Sequence, residues 1–198
     1  MIKILNYGLG NVKAIKNSLD FLNIENDFSS DLKSIKSSDK LILPGVGHFD
    51  FAMNSIDRVF GIKNLNELVL RSKVPIMGIC VGMQIMLNKS EEGIKKGFGW
   101  IDGEVKKMNL NILPLPHLGW NNVEIKKRNV FNLITPDDYF YFLHSYKCSV
   151  KDDFIIAETN YGNNFPSIIN RENFYGIQFH PEKSHESGLK IFESFNKI

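Results

Sequence analysis

Cysteine is scarce in this chain: its 198 residues hold two, Cys80 and Cys148. Two thiols build neither a disulfide framework nor a four-ligand zinc site. The chain therefore reads as a reduced, cytoplasmic protein whose cysteines serve packing or chemistry. Charge of one sign is also lacking, since 24 Lys and Arg face 22 Asp and Glu for a net +2. That balance gives no electrostatic reason to expect nucleic acid or an anionic membrane as partner. Arginine is confined to Arg58, Arg71, Arg128 and Arg171, so the guanidinium forks that read phosphates and bases are few. No apolar run approaches the roughly twenty residues of a membrane-spanning helix. The opening residues show no basic segment leading into a long apolar stretch, so no secretory leader is expected.

What is present is ordinary globular composition, 43% hydrophobic and 23% charged. A chain of this length buries roughly 70% of its unfolded surface and needs no disulfide or metal staple. Repeats, low-complexity tracts and linkers are missing, and Pro114-Leu115-Pro116 reads as a loop. The expectation is one domain spanning residues 1–198.

The first half alternates short apolar strands with helical periodicity. Strands are expected at Ile2 to Asn6, Asn26 to Ser29, Lys40 to Leu43 and Val74 to Ile79. Asn11 is placed to cap a helix carrying Val12, Ile15, Leu19 and Leu22 at a 3.6 period. Further helices are expected from Phe49 to Phe60, Asn64 to Ser72 and Met83 to Asn88. The continuous apolar run at Val74 to Ile79 suits the centre of a parallel sheet. The second half is richer in strands, at Glu104 to Lys106, Val123 to Ile125, Tyr139 to Leu143, Phe154 to Glu158, Ser167 to Asn170 and Phe174 to Gln178. A helix from Glu186 to Asn196 closes the chain. The fold expected is α/β: one doubly wound, mostly parallel sheet with antiparallel additions, flavodoxin-like.

Gly78-Ile79-Cys80-Val81-Gly82 sits where a buried strand runs into a helix. This is the cysteine counterpart of the nucleophile elbow. Small neighbours let the backbone turn sharply and lift the side chain into a cleft. A helix starting there favours thiolate over thiol, and the Val81 N–H lies where an oxyanion would form. The other reading of Cys80 is a buried packing cysteine. Gln178-Phe179-His180-Pro181-Glu182 reads as a strand ending in His-x-Glu. Residues i and i+2 of extended chain share a side, so Glu182 can orient His180 as a triad does its base. Alternatives are a plain strand end, or metal ligands with His185. No third ligand lies at metal spacing, so no metal and no cofactor are expected. Pro44-Gly45-Val46-Gly47 ends a strand where α/β sheets bind ligands; it could add an oxyanion donor or be only a turn. His144-Ser145-Tyr146 ends another. Met83, Met86, Phe140, Phe142 and Cys148 read as packing.

These segments, with Asn6-Tyr7-Gly8-Leu9-Gly10-Asn11, Pro116-His117-Leu118-Gly119-Trp120-Asn121 and His180-Pro181-Glu182-Lys183-Ser184, resemble class I (triad) glutamine amidotransferases over essentially the whole chain. Within them the chain is similar to glutaminase subunits of imidazole glycerol phosphate synthases of histidine biosynthesis. The resemblance implies that Cys80 attacks the amide of L-glutamine, His180 moves the proton and Glu182 orients His180. It implies oxyanion donors from Val81 with Val46 or Gly47. Glutamine binding would involve Gly45, Gly47, Gln84, His144, Ser145 and Tyr146. Ammonia would pass to a (β/α)₈-barrel cyclase subunit contacted through Asn11, Trp120 and Lys183. The departures are Asn6 for Asp, Leu118 for Met, and Trp100 for a smaller apolar residue. Paralogues that feed ammonia to sugar-aminating enzymes of surface-polysaccharide synthesis share the same glutaminase half. A cysteine protease or deglycase, and a non-catalytic binding subunit, complete the alternatives.

Overall fold

The computed structural model describes residues 1–37, 39–110, 113–127 and 130–198, so Arg128 lies outside the described residues. In chain order it forms β1 (Ile2–Leu5), α1 (Val12–Phe21), β2 (Asn26–Ser29), β3 (Lys40–Leu43), α2 (Phe49–Phe60), α3 (Ile62–Ser72), β4 (Ile76–Ile79) and α4 (Val81–Gln84). There follow β5 (Lys89–Ser90), β6 (Gly103–Lys107), β7 (His117–Asn122), β8 (Glu124–Ile125), β9 (Tyr139–His144), β10 (Tyr146–Val150), β11 (Ile155–Tyr161), β12 (Asn163–Arg171), β13 (Phe174–Ile177) and α5 (His185–Asn196).

The main sheet runs β2-β1-β3-β4-β13-β12-β11-β8. Its pairs from β2 to β13 are parallel, and those from β13 to β8 antiparallel. β1, β3 and β4 are apolar almost throughout and sheathed on both sides, with Ile2, Ile4, Leu41, Leu43, Ile76 and Met77 fully buried. That is the pattern of a parallel centre. The chain leaves β1 toward β2 and leaves β3 toward β4 in the opposite sense. Right-handed crossovers then place α1 and the α2–α3 pair on opposite faces. The α/β doubly wound architecture is as expected from the sequence.

Four details differ. The strands beyond the main sheet do not all join it: β5, β6 and β10 form a second sheet, and β7 pairs with β9 in a third. β7 falls where no strand is expected from its residues; only pairing with the distant β9, His117 against His144 through Asn122 against Tyr139, makes it one. The helix expected over Met83 to Asn88 stops at Gln84. Residues 81–87 are all buried, so their apolar run has no amphipathic period to extend a helix. Asn11 does precede α1, but its side chain makes no capping bond. Among the described residues no helix is long and apolar enough to cross a membrane.

Candidate active site

The strand order reverses between β1 and β3, and ligands of open α/β sheets gather at the carboxyl ends of strands near such a point. β3, β4 and β13 deliver Val46 and Gly47, Cys80, and His180 to that edge. Cys80 follows β4 directly and holds φ +55, a left-handed conformation that costs a non-glycine residue of order 1 kcal/mol. The strain is imposed from behind. A Cβ on Gly82 would overlap the Leu43 carbonyl oxygen, and one on Gly78 would come within 2.5 Å of the Gly82 oxygen. β3 and the elbow are thus in backbone contact, and the turn tips Cys80 outward.

His180 is buried, and its Nδ1 lies 2.9 Å from Glu182 Oε1. With Nδ1 engaged, Nε2 is the ring nitrogen left free, and the Cys80 sulfur lies near enough to act on the ring electrostatically. Burial pulls His180 toward neutrality. The facing Cys80 sulfur and then Glu182 outweigh it, and the imidazole is pushed up to about 10. The Glu182 side chain is 1% exposed, and its Oε2 has no hydrogen-bond partner among the described residues. The backbone around His180 is pinned: its N–H donates to the Tyr141 carbonyl at 2.8 Å, and its carbonyl accepts from the Ser184 hydroxyl at 2.6 Å.

A cavity of about 340 Å³ opens over the sulfur, within the size range of small-molecule sites. Cys80, Val81, Val46, Gly47, Gln84, His144, Ser145, Tyr146 and His180 all line it. Val81 opens α4, so its N–H has no intrahelical partner. α4 is only four residues long, so its dipole contributes less here than the elbow geometry. Gly47 has φ +91 and open space where a Cβ would stand.

Two expected residues sit differently. Gly45 is not on the cavity wall; it packs against the elbow, where a Cβ would overlap the Gly82 nitrogen. His144 reaches the wall, but its ring is already committed, with Nδ1 2.8 Å from the Tyr146 carbonyl and Nε2 3.1 Å from His117 Nδ1. Since a carbonyl only accepts, His144 carries its proton on Nδ1, and His117 donates to its Nε2. Burial holds both rings neutral, pushing His144 down to about 3 and His117 to about 4. This pair locks the 144–146 turn against β7.

Two further residues escape the sequence reading. Glu92 lines the cavity and accepts the Phe49 N–H at 2.7 Å, tying its irregular segment to the start of α2. Tyr7 is fully buried and its hydroxyl donates to the Pro44 carbonyl, which braces the 44–47 segment. Burial and then the Cys80 charge hold that phenol above its usual range. Cys148 is buried with its thiol pushed up by burial, in keeping with packing, and Met83, Met86, Phe140 and Phe142 are core. Trp100 is buried between Phe98 and Phe174, its indole N–H 2.7 Å from Asn66 Oδ1.

Trp120 and Lys183 lie outside the cavity but close together. Trp120 is 48% exposed and stacks on His185 at 5.2 Å, while the Lys183 ammonium sits 5.3 Å from the Tyr141 ring centre. α1, which Asn11 precedes, packs beside residues 181–183. The outer face of β7 and β9 exposes Leu118, Trp120, Tyr139 and Leu143, and Leu143 also lines the cavity. No group of three or more His, Cys, Asp or Glu among the described residues could hold a metal ion.

A family model for glutamine amidotransferase class-I matches residues 4–197. The chain is 46% identical to the imidazole glycerol phosphate synthase subunit HisH of Leptospira borgpetersenii, with both chains covered in full. It is 40% identical to the protein of that name from Bdellovibrio bacteriovorus, again over the full length of both. Among solved structures it is similar to a putative GMP synthase component from Thermoplasma acidophilum, at TM-score 0.70 and 18% identity, covering 99% of this chain and 92% of that one. PurLQS from Thermotoga maritima gives TM-score 0.70 at 16% identity, covering 99% and 97%. At such identities the two structures speak to the fold alone.

Proposed function

The chain belongs to the class I glutamine amidotransferase family, and from that premise we propose that residues 1–198 act as one cytoplasmic glutaminase domain feeding ammonia to an imidazole glycerol phosphate synthase. The observation that carries this reading is the strained Cys80 facing a buried His180–Glu182 pair across one cavity. L-glutamine enters the cavity with its side-chain amide over Cys80. His180 takes the thiol proton on Nε2 as the sulfur adds to the amide carbon. The Val81 N–H, with one from Val46 or Gly47, meets the oxyanion. His180 returns the proton to the leaving nitrogen, and ammonia departs from a glutamyl thioester. Water, deprotonated by His180, hydrolyses that thioester and releases glutamate. Glu182 keeps the proton of resting His180 on Nδ1 and stabilises the imidazolium. Glu92 offers a carboxylate to the α-ammonium of glutamine. Gln84 and the 144–146 turn, held by the His117–His144 pair, shape the wall opposite.

The exposed apolar row Leu118, Trp120, Tyr139 and Leu143 suits a surface covered by another protein, with Trp120 as anchor. Asn11 and Lys183 flank it. The partner is a (β/α)₈-barrel cyclase subunit that uses the ammonia to make imidazole glycerol phosphate and AICAR in histidine biosynthesis. Because Leu143 belongs to both cavity and face, ammonia formed at Cys80 emerges beside the covered surface. Full-length identity to proteins named as imidazole glycerol phosphate synthase subunits supports this partner over a sugar-aminating one. The test is glutamate release from glutamine by the chain alone and after adding its synthase partner with a substrate analogue. A rise on addition is expected. Peptide cleavage without glutamine hydrolysis in either case contradicts the reading.

A further inference from the structure

β13 ends at Ile177, and the chain bends through Gln178 and Phe179 before His180 bridges to Tyr141. Phe179 turns into the core, and Gln178 and His180 both turn toward Cys80. Gln178 is completely buried, yet no step of the chemistry above uses it. Its Nε2 lies 3.7 Å from the Cys80 sulfur, and its Oε1 lies 3.2 Å from Gln84 Nε2. Gln84 Nε2 lies in turn 3.2 Å from the Tyr146 carbonyl.

The direction of this chain is not free. A backbone carbonyl can only accept, so the amide nitrogen of Gln84 must face Tyr146. The same nitrogen spends its second proton on Gln178, which must then present its oxygen. That leaves the Gln178 N–H₂ pointing at the sulfur. Turning Gln178 over would set two N–H donors against each other and an oxygen against the sulfur. Turning Gln84 as well would oppose its oxygen to the Tyr146 carbonyl. The other hydrogen-bond neighbour of the sulfur is the Leu143 carbonyl at 3.9 Å. It suits a thiol, which donates, and opposes a thiolate, which cannot.

We propose that Gln178 is a further catalytic residue: its side-chain N–H, aimed by the Tyr146 carbonyl through Gln84, donates to the Cys80 sulfur and holds it as the thiolate facing the cavity. The inference rests on the glutaminase reading only for what the thiolate attacks. His180 remains the proton acceptor. Gln178 itself stays neutral and supplies a fixed donor to the sulfur beside the His180 imidazolium that has taken the thiol proton. The thiolate is consumed as the sulfur adds to the amide carbon, and it meets the Gln178 N–H again when hydrolysis of the thioester releases it.

The experiment is the rate of Cys80 alkylation by iodoacetamide against pH on the full chain, which needs no glutamine turnover. Gln178→Met keeps the reach and removes the N–H, and Gln178→Glu replaces the donor by an acceptor. Losing one hydrogen bond to a charged group raises the midpoint of that profile by roughly one pH unit or more. The rise is larger for Gln178→Glu. With the synthase partner present, kcat for glutamine falls about tenfold or more at unchanged KM. A residue that merely filled space would leave the alkylation midpoint where it is, and an unmoved midpoint in Gln178→Met overturns the proposal. Should the variants not fold, the side-chain amide protons of Gln178 in the unmodified chain are followed by NMR through the same titration. They move with the thiol if the bond exists, and a flat response overturns it. A chain that alkylates as expected but never hydrolyses glutamine sinks the glutaminase reading and leaves this one standing.

Discussion

Replacing Glu182 by Gln removes one charge and changes one oxygen into an amide. The carboxylate contacts His180 through Oε1 at 2.9 Å, and Oε2 is buried without a partner among the described residues. The amide then has two poor choices. With its oxygen toward Nδ1–H, a buried N–H₂ stands where Oε2 was, with no acceptor. Reversed, it sets a donor against Nδ1–H and forces the wrong tautomer on the base. An unsatisfied buried donor costs about 1–3 kcal/mol, which for a chain of this size lowers Tm by roughly 2–10 °C. The lost charge-assisted bond is worth about 1.5–3 kcal/mol, and because it strengthens as the imidazolium forms, kcat falls roughly 10- to 150-fold. The pH dependence shifts as well. Burial lowers His180, and Cys80 and Glu182 together raise it to about 10. Without the carboxylate the balance tilts down, so the imidazolium that protonates the leaving nitrogen is depleted from the alkaline side. The alkaline limb of the kcat profile therefore moves to lower pH. The assay is glutamate release in the synthase complex from pH 6 to 10, beside a thermal melt. A variant that keeps both the parent kcat and the parent alkaline limb refutes the role of Glu182.

Two other outcomes follow from the same geometry. His117 and His144 have folded pKa values depressed from 6.5 to about 4 and about 3, so the unfolded chain binds more protons below pH 6.5. Their contribution to stability is present above pH 6.5 and is lost as pH falls, by roughly 2 kcal/mol for each ring at pH 5. The thermal midpoint should drop through that window, and a midpoint flat from pH 6.5 to 5 contradicts the account. Gly82→Ala forces a methyl into the Leu43 carbonyl. Glutamine hydrolysis should be lost with a stability cost of about 2 kcal/mol or more, and a variant of parent activity and Tm shows that the elbow is not close-packed.

How much of this could be read beforehand depended on how local each feature is. Cys80, Val81 and Gly82 carry their chemistry in consecutive residues, and His180 and Glu182 are two apart. The elbow comes to the sheet edge on backbone geometry, but His180 and Glu182 meet across a 3-10 turn at Pro181–Lys183 and not along the extended strand expected from the sequence. The apolar strands β1, β3 and β4 were equally legible, because a buried parallel strand announces itself by composition. Glu92 was not. It lies in an irregular stretch with no periodicity, and only its bond to the Phe49 N–H brings it to the cavity. Strand β7 was hidden for a similar reason: Gly119, at φ +128, and a preceding proline read as loop, and pairing with β9 some twenty residues later decides otherwise. Gly45 packs on the elbow, and sequence cannot tell a glycine that faces a ligand from one that another backbone touches. The helix after Cys80 is shorter than its sequence suggests, because uniform burial erases the period that would mark its end.

The most direct measurement of the central claim is made on Cys80→Ala in complex with the synthase partner. Product formation is followed with glutamine and, separately, with ammonium salts as the nitrogen source. The account predicts that glutamine-driven synthesis disappears while ammonium-driven synthesis continues at the parent rate. Glutamine-driven synthesis that survives without the Cys80 sulfur would contradict it.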